Sequence, residues 1–204
     1  MKNYQVVFWD FDGVWSKDKF YKSFPYSYPD VWEFIQTKIW GANRENRVDK
    51  WMKGELTMND INKLISKETG LDFETVTNLF LDDVAQMEIE TRHIPIVQAL
   101  KRQGVKVGMI TNNMDAFDII TRPRLKLDEL FNEKVFNSFT HKKMKAEGLY
   151  DIAMQSLNQT DYTKALMIDD SSRARAAFEA KGGQTYPYTS FEDFQTWATT
   201  NFSL

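Results

Sequence analysis

The stretch VVFWDFDGVWS, Val6 to Ser16, decides how the rest of the chain is read. Its apolar run from Val6 to Trp9 has no polar alternation, the pattern of a strand buried on both faces. Asp10 and Asp12 then follow two positions apart, with Gly13 behind them. A buried strand has no structural need for paired carboxylates. Close together they repel, so a cation, a phosphate chemistry or both must stabilise them.

Working outward, similar short apolar runs recur at Val105 to Ile110, Val135 to Phe139, Lys164 to Ile168 and, more weakly, Gln184 to Tyr188. Between them lie helical patterns. Ile94 to Arg102 puts Ile94, Val97, Ala99 and Leu100 near one face before Gly104, a helix stop, and Leu149 to Leu157 and Arg173 to Lys181 behave alike. Continuously apolar strands separated by helices predict an α/β fold, a doubly wound parallel sheet covered on both faces.

Residues 16–91 break this rhythm, with helical patterning throughout and no buried strand. They read as a helical cap inserted after the first strand, leaving 1–15 and 92–204 as the α/β core. Pro29 to Trp40 predicts one helix, Thr57 with Asp60 three positions on starts another as a capping-box variant, and Asp72 caps Phe73 to Met87. The aromatics of FYKSFPYSYPDVWEF are expected mostly to fill a small helical core. Of Phe20, Tyr21, Phe24, Tyr26 and Tyr28, one or two are expected to line a pocket instead.

Composition narrows the chemistry. With 204 residues and no cysteine, disulfides, thiolate metal sites and cysteine nucleophiles are excluded, leaving oxygen and nitrogen ligands. A net charge of -3 predicts no long-range attraction to nucleic acid or an anionic membrane. No segment has the roughly 20 apolar residues of a membrane span, so a cytoplasmic protein is expected. His93 and His141 lack zinc-ligand spacing, and no phosphate-binding G-x-x-x-x-G-K is present.

In an open parallel sheet, ligands bind outside the carboxyl ends of the strands. Those ends are polar here: Asp10 and Asp12 after the first, Thr111, Asn112 and Asn113 after the second, HKKMK after the third, Asp169, Asp170 and Ser171 after the fourth. Carboxylates, a hydroxyl and a lysine facing one crevice suit a hard cation, Mg²⁺ foremost, holding a phosphate that a carboxylate attacks.

The pattern resembles the haloacid dehalogenase-like superfamily, specifically its phosphatases with a helical cap after the first strand. FWDFDGV resembles the first family motif, which implies Asp10 as nucleophile and Asp12 as acid/base. GMITNN resembles the second, implying Thr111, with Asn112 beside it, as phosphate-binding groups. In the degenerate lysine motif, spacing from Ser138 and to the GLY of Gly148 to Tyr150 favours Lys145 over Lys143. LMIDDS resembles the fourth, implying Asp170 as metal ligand with Asp10 and the backbone carbonyl of Asp12, and Asp169 as an outer-shell group or alternate ligand. The resemblance implies Mg²⁺-dependent hydrolysis of a small phosphorylated metabolite through an aspartyl-phosphate. A phosphotransferase or mutase would keep the same residues, a dehalogenase would need only the nucleophile, and a silent binding protein would have lost Asp10 or Asp12. Two departures stand out: Ala174 where the family often has Asp or Asn, and Ala146 where proline often follows the lysine.

Overall fold

The computed structural model describes residues 4–41, 46–132 and 134–202; positions 1–3, 42–45, 133, 203 and 204 of the two expected segments lie outside the described residues. Five strands, β1 (Val6–Trp9), β2 (Lys106–Thr111), β3 (Val135–Asn137), β4 (Ala165–Asp169) and β5 (Gln184–Pro187), form one parallel sheet in the order β3-β2-β1-β4-β5. The α/β doubly wound arrangement expected from the alternating pattern is therefore present. β1 is central, and the chain fills positions on one side of it before crossing to the other. The switch point lies at β1, where such sheets bind ligands.

β1, β2 and β4 are largely apolar in both directions because each face meets helices, whereas the edge strand β5 is part-buried. Val7, Trp9, Met109 and Ile168 point to one side and pack with Val97 and Leu100 of the helix His93–Arg102, with Phe131, and with Phe194 and Ala198 of the helix Phe191–Phe202. Phe8, Ile110, Phe136 and Met167 point to the other and meet Leu149, Tyr150 and Ala153 of the helix Leu149–Ser156 and Phe178 of the helix Ser172–Glu179. Burial of each such large apolar side chain contributes about 1.5–3 kcal/mol.

Parallel register fixes the site. Trp9 lies opposite Met109 on one side and Ile168 on the other, so one further step sets Asp10 level with Asp169. The Asp10 N–H continues the ladder by donating to Ile168 O at 2.9 Å.

Between β1 and the helix His93–Arg102 the regular elements among the described residues are all helices. Thr57 and Asp60 form the expected capping box on Met58–Thr69, and Asp72 caps Phe73–Ala85, which stops two residues short of the expected Met87. The helix expected over Pro29 to Trp40 divides into an α-helix, Pro29–Phe34, and a π-helix, Ile35–Trp40. Tyr21, Phe24, Trp51 and Phe80 are fully buried together, and Tyr21 Oη donates to Asn62 Oδ1 at 2.7 Å. The strands leading out and back run side by side: Ser16 Oγ donates to Glu88 O at 2.7 Å and Glu90 N to Trp15 O at 2.7 Å.

Two features differ from the sequence expectation. β3 ends at Asn137 rather than Phe139, because Asn137 turns its side chain to accept from Phe139 N and caps the short helix Ser138–His141. The helix Phe191–Phe202 was not anticipated; its buried residues are spread among polar ones without a flanking glycine stop. Among the described residues no helix is long and apolar enough to cross a membrane.

Candidate active site

The site begins where β1 ends. Asp10 is buried; its Oδ1 accepts from Phe11 N at 2.8 Å and its Oδ2 lies 2.6 Å from Lys145 Nζ. Phe11 is fully buried and packs edge-on against Phe117 with ring centroids 5.0 Å apart, which anchors the chain just as it turns. The turn is tight: Trp15 N and Ser16 N both donate to Phe11 O, and Gly13 N donates to Ser16 O at 2.7 Å. Gly13 sits at φ +76°, and a Cβ there would collide with the Asp170 carboxylate. The close approach that requires glycine here is to Asp170.

Lys145 joins three strand ends. Its Nζ reaches Asp10 Oδ2 and, at 2.7 Å, Asp169 Oδ2, while its backbone N–H donates to Asn112 Oδ1 at 2.9 Å. Lys143, the alternative lysine, is exposed. Asp169 is fully buried and accepts from Ser171 N through Oδ1 at 2.8 Å. One carboxylate oxygen each from Asp10, Asp169 and Asp170 lies within 4.8 Å of the others, with Asp170 exposed. Such a set fits a hard divalent cation, the donors being oxygen and the Gly13 backbone lacking a side chain beside them. Thr111 is fully buried at the end of β2, and its Oγ1 has no hydrogen-bond partner. A buried orphan hydroxyl costs stability, and an oxyanion brought to it would restore a partner.

Asp12 leaves the turn in a different direction. Its Oδ2 accepts from Asn113 Nδ2 at 2.9 Å, and the Asn113 backbone N–H is held by Asn137 Oδ1 and Ser138 Oγ, each at 3.1 Å. Asn113 stands among the polar residues read at the end of the second strand, but the motif reading gave it no role; the structure sets it on Asp12. Ala174, at the position where the family often carries Asp or Asn, offers its carbonyl to Tyr150 Oη at 3.0 Å.

The two acids differ electrostatically. Burial raises the Asp10 carboxyl well above the usual carboxylate range, although Lys145 opposes the rise. Asp12 keeps part of its surface open but is otherwise walled in; burial pushes its carboxyl up to about 6, against the pull of Lys19 and Lys145 and with help from Asp170. Burial would lower the Lys145 ammonium, but Asp10 and Asp169 more than offset this and hold it protonated.

The helical insertion meets this edge of the sheet. Asp115, buried just after β2, accepts from Trp51 Nε1 at 2.7 Å and from Met58 N at 3.0 Å. Lys53 pairs with Glu147 at 2.6 Å. A cavity of about 280 Å³ lies between the two, with Asp12 and Met114 on one side and Phe20, Trp32, Trp40 and Met52 on the other. Of the five aromatics named from sequence, Phe20 alone lines it; Tyr21 and Phe24 are core, and Tyr26 is exposed.

A family model for haloacid dehalogenase-like hydrolases matches residues 4–180. The chain belongs to that family. Among solved structures, a family enzyme from Bacteroides thetaiotaomicron superposes with a TM-score of 0.71 at 17% identity, covering 96% of this chain and 98% of the other. The same enzyme complexed with magnesium and inorganic phosphate superposes at 0.64 and 16% identity, over 91% and 94%. The L-2-haloacid dehalogenase of Xanthobacter autotrophicus, with chloropropionic acid covalently bound, superposes at 0.62 and 11% identity, over 89% and 76%. No curated protein matches the sequence. A family enzyme that binds magnesium and phosphate and a haloacid dehalogenase thus share this fold.

Proposed function

We propose that this family hydrolase is a Mg²⁺-dependent phosphatase that cleaves small-molecule phosphate monoesters through an aspartyl-phosphate on Asp10. The observation that carries the reading is the pairing of Asp10 with a second acid, Asp12, that is held by Asn113 beside the cavity and has its carboxyl raised to about 6. Departure of an alkoxide needs a proton donor poised near neutrality, whereas departure of a halide needs none.

The residues divide the work. A carboxylate oxygen of Asp10 attacks phosphorus, the bond from phosphorus to the ester oxygen breaks, and Asp12 gives its proton to the departing alkoxide. Asp12 then takes a proton from the water that attacks the acyl phosphate, the bond from phosphorus to Asp10 breaks, and phosphate leaves. Lys145 and Thr111 hold the phosphoryl oxygens, and Asn112 fixes the backbone of Lys145. Asp10, Asp170 and the Asp12 carbonyl would hold Mg²⁺, with Asp169 behind them or as an alternate ligand, and the bound ion would supply positive charge for the phosphoryl group and counter-charge for the carboxylates. The insertion acts as a cap: it covers the strand ends, limits water and surrounds the leaving group.

The test is phosphate release from phosphate monoesters in Mg²⁺, after chelation, and after Mg²⁺ is restored. Activity should vanish with chelator and return with metal, and Asp10→Asn should lower kcat by at least ~10³, roughly 4 kcal/mol of transition-state stabilisation. Full activity in chelator, or in Asp10→Asn, overturns the mechanism.

A further inference from the structure

We infer that the preferred substrate is the monophosphate of a compact alcohol carrying a planar aromatic ring, rather than a polyol or sugar phosphate. The inference rests on the phosphatase reading and adds what the cap recognises. It comes from the lining of the cavity beside Asp12.

Three aromatic side chains, Phe20, Trp32 and Trp40, and the thioethers of Met52 and Met114 form most of its wall. The wall is pre-formed. Trp40 stacks on Trp51 with an interplanar angle of 25° and centroids 6.3 Å apart, and Trp51 is pinned by Asp115 at 2.7 Å. Trp40 also ends the π-helix Ile35–Trp40, a segment type that occurs mostly at functional sites. Rigid aromatic faces in fixed positions favour a flat ring by stacking and by avoiding the cost of ordering the wall on binding.

The polar inventory points the same way. Asp18 touches the cavity, but its carboxylate is already held by Lys22 at 2.8 Å and by Glu88 N at 2.8 Å. Asp12 is reserved for the ester oxygen. That leaves the second carboxylate oxygen of Asp18 and the Lys19 ammonium. Two such groups meet few polar substituents, whereas a polyol would bring several hydroxyls against carbon and sulfur. At about 280 Å³ the cavity has room for a single ring with a short arm.

The experiment compares kcat/KM in Mg²⁺ for benzyl and 2-phenylethyl phosphate with that for glycerol 3-phosphate and a hexose 6-phosphate, all esters of aliphatic alcohols. The aromatic esters should be preferred at least tenfold, and Trp32→Ala or Met52→Ala, both at half-buried positions, should shrink that ratio at least fivefold. Parity, or preference for the polyols, overturns the inference. A second arm needs no turnover: in chelator, benzylphosphonate should quench tryptophan fluorescence saturably with a Kd at least tenfold below that of methylphosphonate. Equal affinities overturn the pocket assignment. If no ester is cleaved while benzylphosphonate still binds tightly, the phosphatase reading fails and the ring-binding pocket stands.

Discussion

Replacing Lys145 with methionine tests the centre of the site, because it removes one charge from between two others while nearly preserving volume. Lys145 Nζ lies 2.6 Å from Asp10 and 2.7 Å from Asp169, and the three side chains are only 3%, 9% and 0% exposed. Without the ammonium, two carboxylates whose oxygens lie within 4.8 Å face each other. At an effective dielectric of ~20 two unit charges at that distance repel by about 3.5 kcal/mol. Removal of one partner from a buried ion pair costs a similar ~3–5 kcal/mol. Protonation of one carboxyl limits the loss but does not cancel it. The Lys145 pKa is raised in the fold, so its contribution is complete below the unfolded value of ~10.4 and disappears only as pH rises through the folded value. A measurement at pH 7 therefore sees all of it. In chelator, Lys145→Met should unfold at a lower temperature by about 6–20 °C, at ~2–4 °C per kcal/mol for a chain of this size. Adding Asp169→Asn should recover at least half, since it removes the repulsion, and Lys143→Met should stay within ~0.5 kcal/mol of the parent. A Lys145→Met protein within ~1 kcal/mol of the parent, or further loss on adding Asp169→Asn, would refute the reasoning.

His93 is fully buried, and burial lowers its imidazole to about 4, so the unfolded chain takes up a proton first as pH falls. Its contribution is intact above ~6.5, and about 3 kcal/mol is lost between there and pH 4; urea midpoints from pH 7.5 to 4 should show this acid limb, and His93→Gln should flatten it. Gly13→Ala forces a Cβ into the Asp170 carboxylate at a left-handed backbone position, costing about 1–2 kcal/mol of backbone strain. Titration calorimetry should show Mg²⁺ affinity reduced more than tenfold. Asp115→Ala strips the Trp51 indole and the Met58 N–H of their buried acceptor. The loss should be about 2–4 kcal/mol, with earlier proteolysis inside residues 46–91; an unchanged digestion pattern would count against Asp115 as the clamp.

The sheet was legible because four of its five strands are buried along nearly their whole length, and continuous apolarity with short length is a signal that needs no tertiary information; the part-buried β5 gave the weaker signal. Val6 to Trp9 is the clearest case. The π-helix at Ile35–Trp40 was not legible, because its apolar positions also satisfy an α-helical spacing. The break at Asn137 depends on one side chain choosing a cap over a further ladder bond, a choice settled by Asp118 and Met114, which hold its amide at 2.8 and 3.0 Å. Phe24 and Phe20 are equally apolar and four positions apart. Tertiary packing separates them: Phe20 lies on Trp51 and Phe80 and still reaches the cavity, whereas Phe24 is enclosed with Tyr21 and Tyr28.

The residues placed at the candidate site were more legible than the cap, and the reason is geometric. A parallel sheet converts position along a strand into position in space, so residues that end neighbouring strands meet whatever the sequence distance between them. Asp10 and Asp169 are brought level by register alone, and Lys145 follows once its loop is drawn back by Asn112. Side chains leaving a strand also alternate in direction. Hence the adjacent Asn112 and Asn113 part, the first to Lys145 and the second to Asp12. Asp10 and Asp12 are two apart and would share a face in a continued strand; the turn closed on Phe11 O takes Asp12 to the cavity while Asp10 stays with Lys145. That turn separates the group proposed to attack phosphorus from the group proposed to protonate the leaving oxygen. The cavity wall has no such rule behind it. Phe20, Trp32, Trp40 and Met52 come from separate turns of an insertion whose packing is not periodic with respect to the sheet. Substrate preference can therefore change by substitution in the insertion without disturbing the register that sets the chemistry.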